Sequence, residues 1–347
     1  MKKLRWGVIG AGGIADRRTI PGMLLSDNAE LVAVMEVDRT FAEKLRDKHH
    51  ARRAYNSELE LLKDPEVDAV YIATPVVLHA KQAMMAADHG KHILIEKPLA
   101  MTSEEGRRVL DYCEARGVKI AAGLMMRFGS YVMEMKKAIA AGKIGDVVSG
   151  FAQFTCWYPE MENAWRQTKA NAGGGALMDM GVHCIDLIQY VTDSEAAQVA
   201  AFHDTLTFGY EVEDSSSVML RLKNGAVCTV QSNFNIPDEA AKWRLEFFGT
   251  KGRLMGDTVI GQVDGGSVNA LFMDAVGGYD AAQDVKESAL ADINVEFGNM
   301  YQREIQSFSR SILEGLPLAV PAGQAVQVQR IIEAAYRSND EKRIIDL

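Results

Sequence analysis

Residues 4 to 10, Leu-Arg-Trp-Gly-Val-Ile-Gly, form an apolar run that passes directly into Gly10-Ala11-Gly12-Gly13-Ile14-Ala15. This junction constrains the fold more than any other feature of the chain. A G-x-G-x-x-A turn between a strand and a helix needs glycine at its first two positions, for a tight turn and for close backbone approach to a pyrophosphate. The small third residue, here Ala15, lets helix and strand pack closely. The helix N-terminus that follows faces the anion. Gly10, Gly12, Gly13 and Ile14 are therefore candidate cofactor contacts.

A second strand, Glu30 to Glu36, ends on an acidic side chain roughly 20 residues beyond that turn, where a ribose-binding carboxylate is expected. Glu36 can accept both adenosine ribose hydroxyls of NAD and would repel the extra phosphate of NADP. Asp38 competes for the role and Arg39 could clasp the phosphate, so NAD is favoured and NADP is not excluded.

Helix and strand patterns then alternate. A helix over 40–49 is followed by a connecting segment with a short helix at 58–62, the strand 69–73 ending at Thr74-Pro75, and a helix over 76–89. The strand Ile93-Leu94-Ile95-Glu96-Lys97-Pro98-Leu99 comes next, then a helix capped by Thr102 or Ser103 and the strand 118–122. Such alternation specifies an α/β fold with a parallel, doubly wound sheet, in which ligands bind at the carboxyl ends of the strands. Gly10, Glu36, Thr74 and Lys97 all fall there. Proline cannot donate a ladder hydrogen bond, so Lys-Pro fixes where that strand stops pairing.

After Gly123 the pattern changes, dividing the chain into a dinucleotide-binding Rossmann domain (1–123) and a second domain (124–347) for substrate binding and oligomerisation. The last helices, 294–314 and 323–338, are available to pack back on the first domain. Period-two runs at 147–157, 197–208, 215–222, 227–234, 243–248 and 252–255 read as a large, open, mostly antiparallel sheet, with Asn224-Gly225 as a hairpin turn. One face of such a sheet is a candidate subunit interface, giving a homodimer or homotetramer. A net charge of −9 without a compensating basic block argues against a nucleic-acid partner. No apolar run approaches the ~18 residues of a membrane span, and no leader-like segment precedes Gly10, so a cytoplasmic location is expected. The four cysteines are widely spaced and suggest neither zinc site nor disulfide framework.

Residues 173–187 read as a helix entered from a triple glycine. Asp179, His183 and Asp186 are spaced i, i+4, i+7 and so share one helical face. A histidine flanked by carboxylates suits proton transfer, because its pKa of ~6.5 lets it take a proton near neutrality while a carboxylate stabilises the imidazolium. A solvated polar face and a core histidine are the competing structural readings. No further His or Cys cluster supports a metal.

Taken together, the glycine turn, Thr74-Pro75 with His79, Glu96-Lys97-Pro98-Leu99, Trp165-Arg166, the segment 173–186 and the ending from Tyr301 to Tyr336 resemble the Gfo/Idh/MocA oxidoreductases over essentially the whole chain. The resemblance implies that Lys97 hydrogen-bonds the reacting hydroxyl, His183 carries the proton and Asp179 is its acidic partner. It places Thr74, Pro75, His79, Glu96 and Lys97 beside the nicotinamide cofactor, and Arg127, Trp165 and Arg166 near cofactor or substrate. Two departures are Ala15 for the third glycine and Glu36 for the commoner aspartate.

The expected activity is NAD(P)-linked hydride transfer to or from a secondary alcohol of a sugar, polyol or related cyclic compound. An alternative keeps the cofactor and uses transient oxidation of a sugar to drive elimination and glycosidic cleavage. A non-catalytic NAD-binding regulator is a third reading, disfavoured by the presence of Lys97, Asp179 and His183. Substrate choice is expected to reside in 156–172 and 264–292, with Tyr158, Trp165 and Tyr279 as candidate sugar-stacking residues.

Overall fold

A computed structural model describes residues 2–275, 277–279, 281–282, 289–291 and 293–347. They form two compact units whose segments alternate along the chain. The first contains Met1–Met125, Asn163–Gly173 and Asn299–Glu333, and the second Met126–Glu162, Gly174–Gly298 and Ala334–Leu347. Residues 276, 280, 283–288 and 292 of the segment expected to govern substrate choice lie outside the described residues.

In the first unit, β1 (Leu4–Ile9) leads through a π-helical turn (Ala15–Thr19) into α1 (Ile20–Leu24). There follow β2 (Ala29–Met35), α2 (Arg39–His49), β3 (Arg53–Tyr55), α3 (Glu58–Leu62), β4 (Ala69–Ile72), α4 (His79–Asp88), β5 (His92–Glu96), α5 (Ser103–Glu114) and β6 (Ile120–Gly123). All strands pair in parallel in the order β3-β2-β1-β4-β5-β6. The doubly wound sheet is thus present. Its central strands read as nearly continuous apolar runs because helices cover both faces: every residue of β4 is buried. Local sequence sets the helix starts. Asp38 accepts from Phe41 N at 2.9 Å and Thr102 from Glu105 N at 3.1 Å, each satisfying a free first-turn donor.

The second unit opens with α6 (Ser130–Ala140) and β7 (Val147–Thr155). The short α7 (Lys169–Ala172) belongs to the first unit, where it packs on the turn Val76–Leu78. The second unit resumes with a π-helical turn (Leu177–Gly181) continuing into α8 (Val182–Thr192). Its remaining strands are β8 (Ala196–Asp204), β9 (Ser215–Leu222), β10 (Val227–Asn233), β11 (Arg244–Gly249), β12 (Gly252–Asp257) and β13 (Ser267–Phe272). The expected strand 197–208 ends earlier, at Asp204, because Asp214 captures the amides of Leu206, Thr207 and Phe208 and turns that segment into a loop.

After α9 (Met300–Leu313) and α10 (Ala322–Glu341), β14 (Ile345–Asp346) completes an eight-stranded sheet in the order β13-β12-β11-β7-β10-β9-β8-β14. Among the described residues only β7 and β10 pair in parallel; the other strand pairs are antiparallel. The Asn224-Gly225 turn closes β9 onto β10 with Gly225 at φ 92°. α9 packs on the first sheet, where Trp6 Nε1 donates to Ser309 Oγ at 3.1 Å and the Trp6 and Phe308 rings meet at a tilt with centroids 5.2 Å apart. Among the described residues no helix is long and apolar enough to cross a membrane.

Candidate active site

The carboxyl edge of the parallel sheet gathers four sequence-predicted positions. β1 and β4 are neighbours there although β2 and β3 intervene in sequence, so the strand order reverses at this point and a crevice opens. Gly10 sits at φ 76°, and a Cβ on it would lie 2.9 Å from Thr74 Cγ2 and 3.0 Å from the Ala73 carbonyl. Only glycine fits. A Cβ on Gly12 would press on the Glu36 carboxylate and the Phe41 ring, both at 3.0 Å. Gly12 N donates to Glu36 Oε1 at 2.7 Å, which holds the acid across the mouth of the loop. Arg39 is engaged by Glu43 at 3.1 Å. A bare backbone cradle beside a helix start, closed by a carboxylate, has the shape and donor set that a dinucleotide pyrophosphate and ribose require.

Thr74 follows β4 and donates from Oγ1 to Gln82 Oε1 at 2.5 Å. His79, at the start of α4, is buried, with Nδ1 2.8 Å from the Pro98 carbonyl and Nε2 2.9 Å from the Thr74 carbonyl. Burial outweighs these carbonyls and pushes its pKa down to about 4, so the ring is neutral at pH 7. A neutral ring has one N–H, so His79 donates to one of these two carbonyls and packs against the other, between the chain after β4 and the chain after β5. Lys97 stands immediately after β5, before a cis Lys97-Pro98 bond. Glu96 accepts from Lys97 N at 3.2 Å and from the Tyr71 hydroxyl, which in turn accepts from Thr19 Oγ1 at 3.0 Å. Its carboxyl is raised by burial, against the opposing effects of the Tyr71 hydrogen bond and the nearby Lys97 and Arg166 charges. Trp165 and Arg166 belong to this unit, the guanidinium lying 4.3 Å above the indole.

In the second unit Asp179 lies in the π-helical turn, half-buried, and His183 is buried near the start of α8 with Phe154 edge-on at 6.2 Å. Asp186 is differently engaged. Arg127 Nε donates to its Oδ2 at 2.8 Å and Nη2 to its Oδ1, the two side chains being 7% and 2% exposed. The Arg127 guanidinium also lies 4.9 Å from the Tyr190 ring centre. Helical spacing alone could not distinguish Asp179 from Asp186; the fold gives the latter an arginine. Tyr158 stacks obliquely on Phe234 at 5.0 Å, and Tyr279 is 87% exposed.

Sequence reasoning missed Glu213, which contacts the triple-glycine segment. Its Oε2 accepts from Gly175 N and its Oε1 from Leu177 N, both at 2.9 Å. The only sequence signal was its position just ahead of a clearly alternating strand. Among the described residues no cluster of His, Cys, Asp and Glu is arranged to hold a metal ion.

Comparison with known proteins gives a consistent pattern. Residues 4–124 match the model of an oxidoreductase family with an NAD-binding Rossmann fold, and residues 132–255 match the Gfo/Idh/MocA C-terminal domain. The chain is 32% identical to a 1,5-anhydro-D-fructose reductase of Ensifer adhaerens over 76% of its own length and 79% of the relative's. It is 29% identical to D-xylose 1-dehydrogenase (NADP(+)) 2 of Haloferax volcanii over 99% of this chain and all of that one. The crystal structure of an aldose-aldose oxidoreductase from Caulobacter crescentus, complexed with glycerol, superposes with a TM-score of 0.89 at 25% identity, both chains fully covered.

Proposed function

The chain belongs to the Gfo/Idh/MocA family of NAD-binding oxidoreductases, and from that premise we propose that it transfers hydride between NAD and a secondary alcohol or ketone of a sugar, polyol or related cyclic substrate. One observation carries the proposal: Gly10, Glu36, Thr74 and Lys97 share the carboxyl edge of one parallel sheet.

When bound, the nicotinamide supplies the hydride acceptor or donor. Gly10, Gly12, Gly13 and Ile14 hold the pyrophosphate against the backbone, and Glu36 takes the ribose hydroxyls and disfavours a phosphate on them. Thr74, Pro75, Glu96, Trp165 and Arg166 frame the nicotinamide end, with His79 fixing the backbone there. Lys97 donates to the substrate oxygen and stabilises charge that develops on it. His183 takes the hydroxyl proton, and Asp179 stabilises the imidazolium. Tyr158 contributes an apolar face for a sugar ring. Arg127, committed to Asp186, acts by supporting α8.

The test is a screen of sugars, polyols and glycosides with NAD and with NADP, on the native enzyme, Lys97→Met and His183→Ala. Turnover should fall by about 10²–10⁴-fold in each variant while NADH affinity is spared. Near-normal turnover in either variant would sink the assignment. Release of aglycone without NADH accumulation would indicate redox-assisted cleavage instead.

Phe202, Met219, Phe151 and Phe248 lie on one face of the large sheet by register, Phe202 being 76% exposed and Met219 52%. We assign this face to pairing between copies of the chain. Light scattering should give a dimer or tetramer, and a monomer for Met219→Lys with Phe202→Lys.

A further inference from the structure

We propose that Glu213 is a positioning residue for the proton carrier: its side chain clamps the glycine lead-in to the helix that bears Asp179 and His183. The proposal rests on the reading of His183 given above.

The clamp has four bonds. Besides the two amide contacts of its carboxylate, Glu213 uses its backbone carbonyl to accept from Ala176 N at 3.0 Å, and Tyr336 Oη donates to Oε1 at 2.9 Å. Three successive amides, Gly175 to Leu177, are thereby satisfied by one residue. These are donors at the start of a helix that have no partner within it, and a negative charge at that end is favoured by the helix dipole. Burial, and then the charge of Glu213, push the Tyr336 phenol well above its ordinary range, so it remains a donor.

The glycines read as the consequence of this contact. A Cβ on Gly175 would lie 2.0 Å from the Glu213 carbonyl oxygen, and one on Gly174 would lie 1.9 Å from Tyr336 Oη. Neither position tolerates a side chain while the clamp is closed. The clamp is also tied directly to the chemistry-bearing turn, because Asp179 N donates to the carbonyl of Gly175 at 3.0 Å. Further along, a Cβ on Gly181 would lie 2.8 Å from Ser232 Oγ, so the same turn is seated closely on β10.

Glu213 is itself held from behind. Its neighbour Asp214, fully buried, accepts from the amides of Leu206, Thr207 and Phe208 at 2.8, 2.8 and 3.0 Å, and its carbonyl accepts from Phe234 N at 2.8 Å. Two adjacent carboxylates therefore organise two segments, and only Glu213 addresses the helix of His183.

Glu213→Gln is the informative change, since one amide group must then face a donor where the carboxylate accepted three. Tyr336→Phe removes a single bond and serves as the milder variant. In the full-length protein labelled with ¹⁵N-histidine, the ring nitrogen shifts of His183, assigned by their loss in His183→Asn, should move in Glu213→Gln and less in Tyr336→Phe. The signals of His79 and the NADH dissociation constant should stay unchanged. With the substrate found by the screen, kcat should fall about 10- to 100-fold with the KM for NAD unaltered. Unchanged His183 signals in both variants overturn the clamp. Normal turnover in His183→Ala overturns the function reading and the clamp's catalytic meaning with it, whereas an inactive His183→Ala beside native His183 signals in Glu213→Gln overturns the clamp alone.

Discussion

The buried Arg127–Asp186 pair supports a quantitative prediction. Both side chains are almost fully withdrawn from water and joined by two hydrogen bonds, one of 2.8 Å. Desolvating two ions costs several kcal/mol each, a cost that bidentate geometry offsets only while both partners are present. Asp186→Ala should therefore cost about 3–5 kcal/mol, most of it from the guanidinium left behind, and Arg127→Met should cost a similar amount. The double variant Arg127→Met/Asp186→Leu, which restores an apolar match, should lie within about 2 kcal/mol of the native protein or above it. Urea unfolding followed by circular dichroism, run as a double-mutant cycle, gives the coupling directly. Single costs below about 1 kcal/mol, or additive ones, would refute the reasoning. NADH binding measured on the double variant tests the assignment of Arg127 to support: unchanged affinity fits it, and a large loss returns Arg127 to the cofactor.

Burial depresses His79 to about 4, so between about 4 and its ordinary 6.5 the unfolded chain binds a proton that the native one does not; the contribution, about 3 kcal/mol, is present above pH 6.5 and lost as pH falls to 4, and His79→Gln should flatten that limb of the urea-midpoint curve. Glu304 on α9 is buried, its Oε1 has no hydrogen-bond partner among the described residues, and burial followed by the proximity of Glu96 raises its carboxyl well above the usual range. Here the native state holds the extra proton, so stability falls as pH rises past about 4.5 toward the raised value; Glu304→Gln should be more stable than the native protein at high pH and show no such fall.

How far the sequence could be read depended on whether a feature was local. The glycine turn, Thr102 as helix cap and Asn224-Gly225 announce themselves within a few residues, because each is a backbone requirement met by a particular residue type. β3 and β14 do not: with three and two residues they show no period, and they exist because a neighbouring strand offers them an edge. β13 lies within the segment expected to be a specificity loop and owes its place to pairing with β12. The i, i+4, i+7 spacing anticipated helical backbone at Asp179, His183 and Asp186, yet could not foresee that Asp186 would meet Arg127, 59 positions away in the chain. Glu213 escaped notice for the same reason. Its partners include Tyr336, and no pattern within one segment encodes a contact 123 residues distant.

The discontinuity of the first unit bears on how the protein emerges from the ribosome. Its parallel sheet is complete in sequence at β6, but the α9 surface that covers Trp6 arrives only after residue 299. At ~5–20 residues per second that interval is on the order of ten seconds to half a minute. Throughout it the indole of Trp6 and its apolar surroundings lack their native cover, while the whole strand-rich middle of the chain is being made. Nascent chains stalled between residues 125 and 299 should consequently be bound by chaperones that recognise exposed apolar surface, and release should coincide with the appearance of α9.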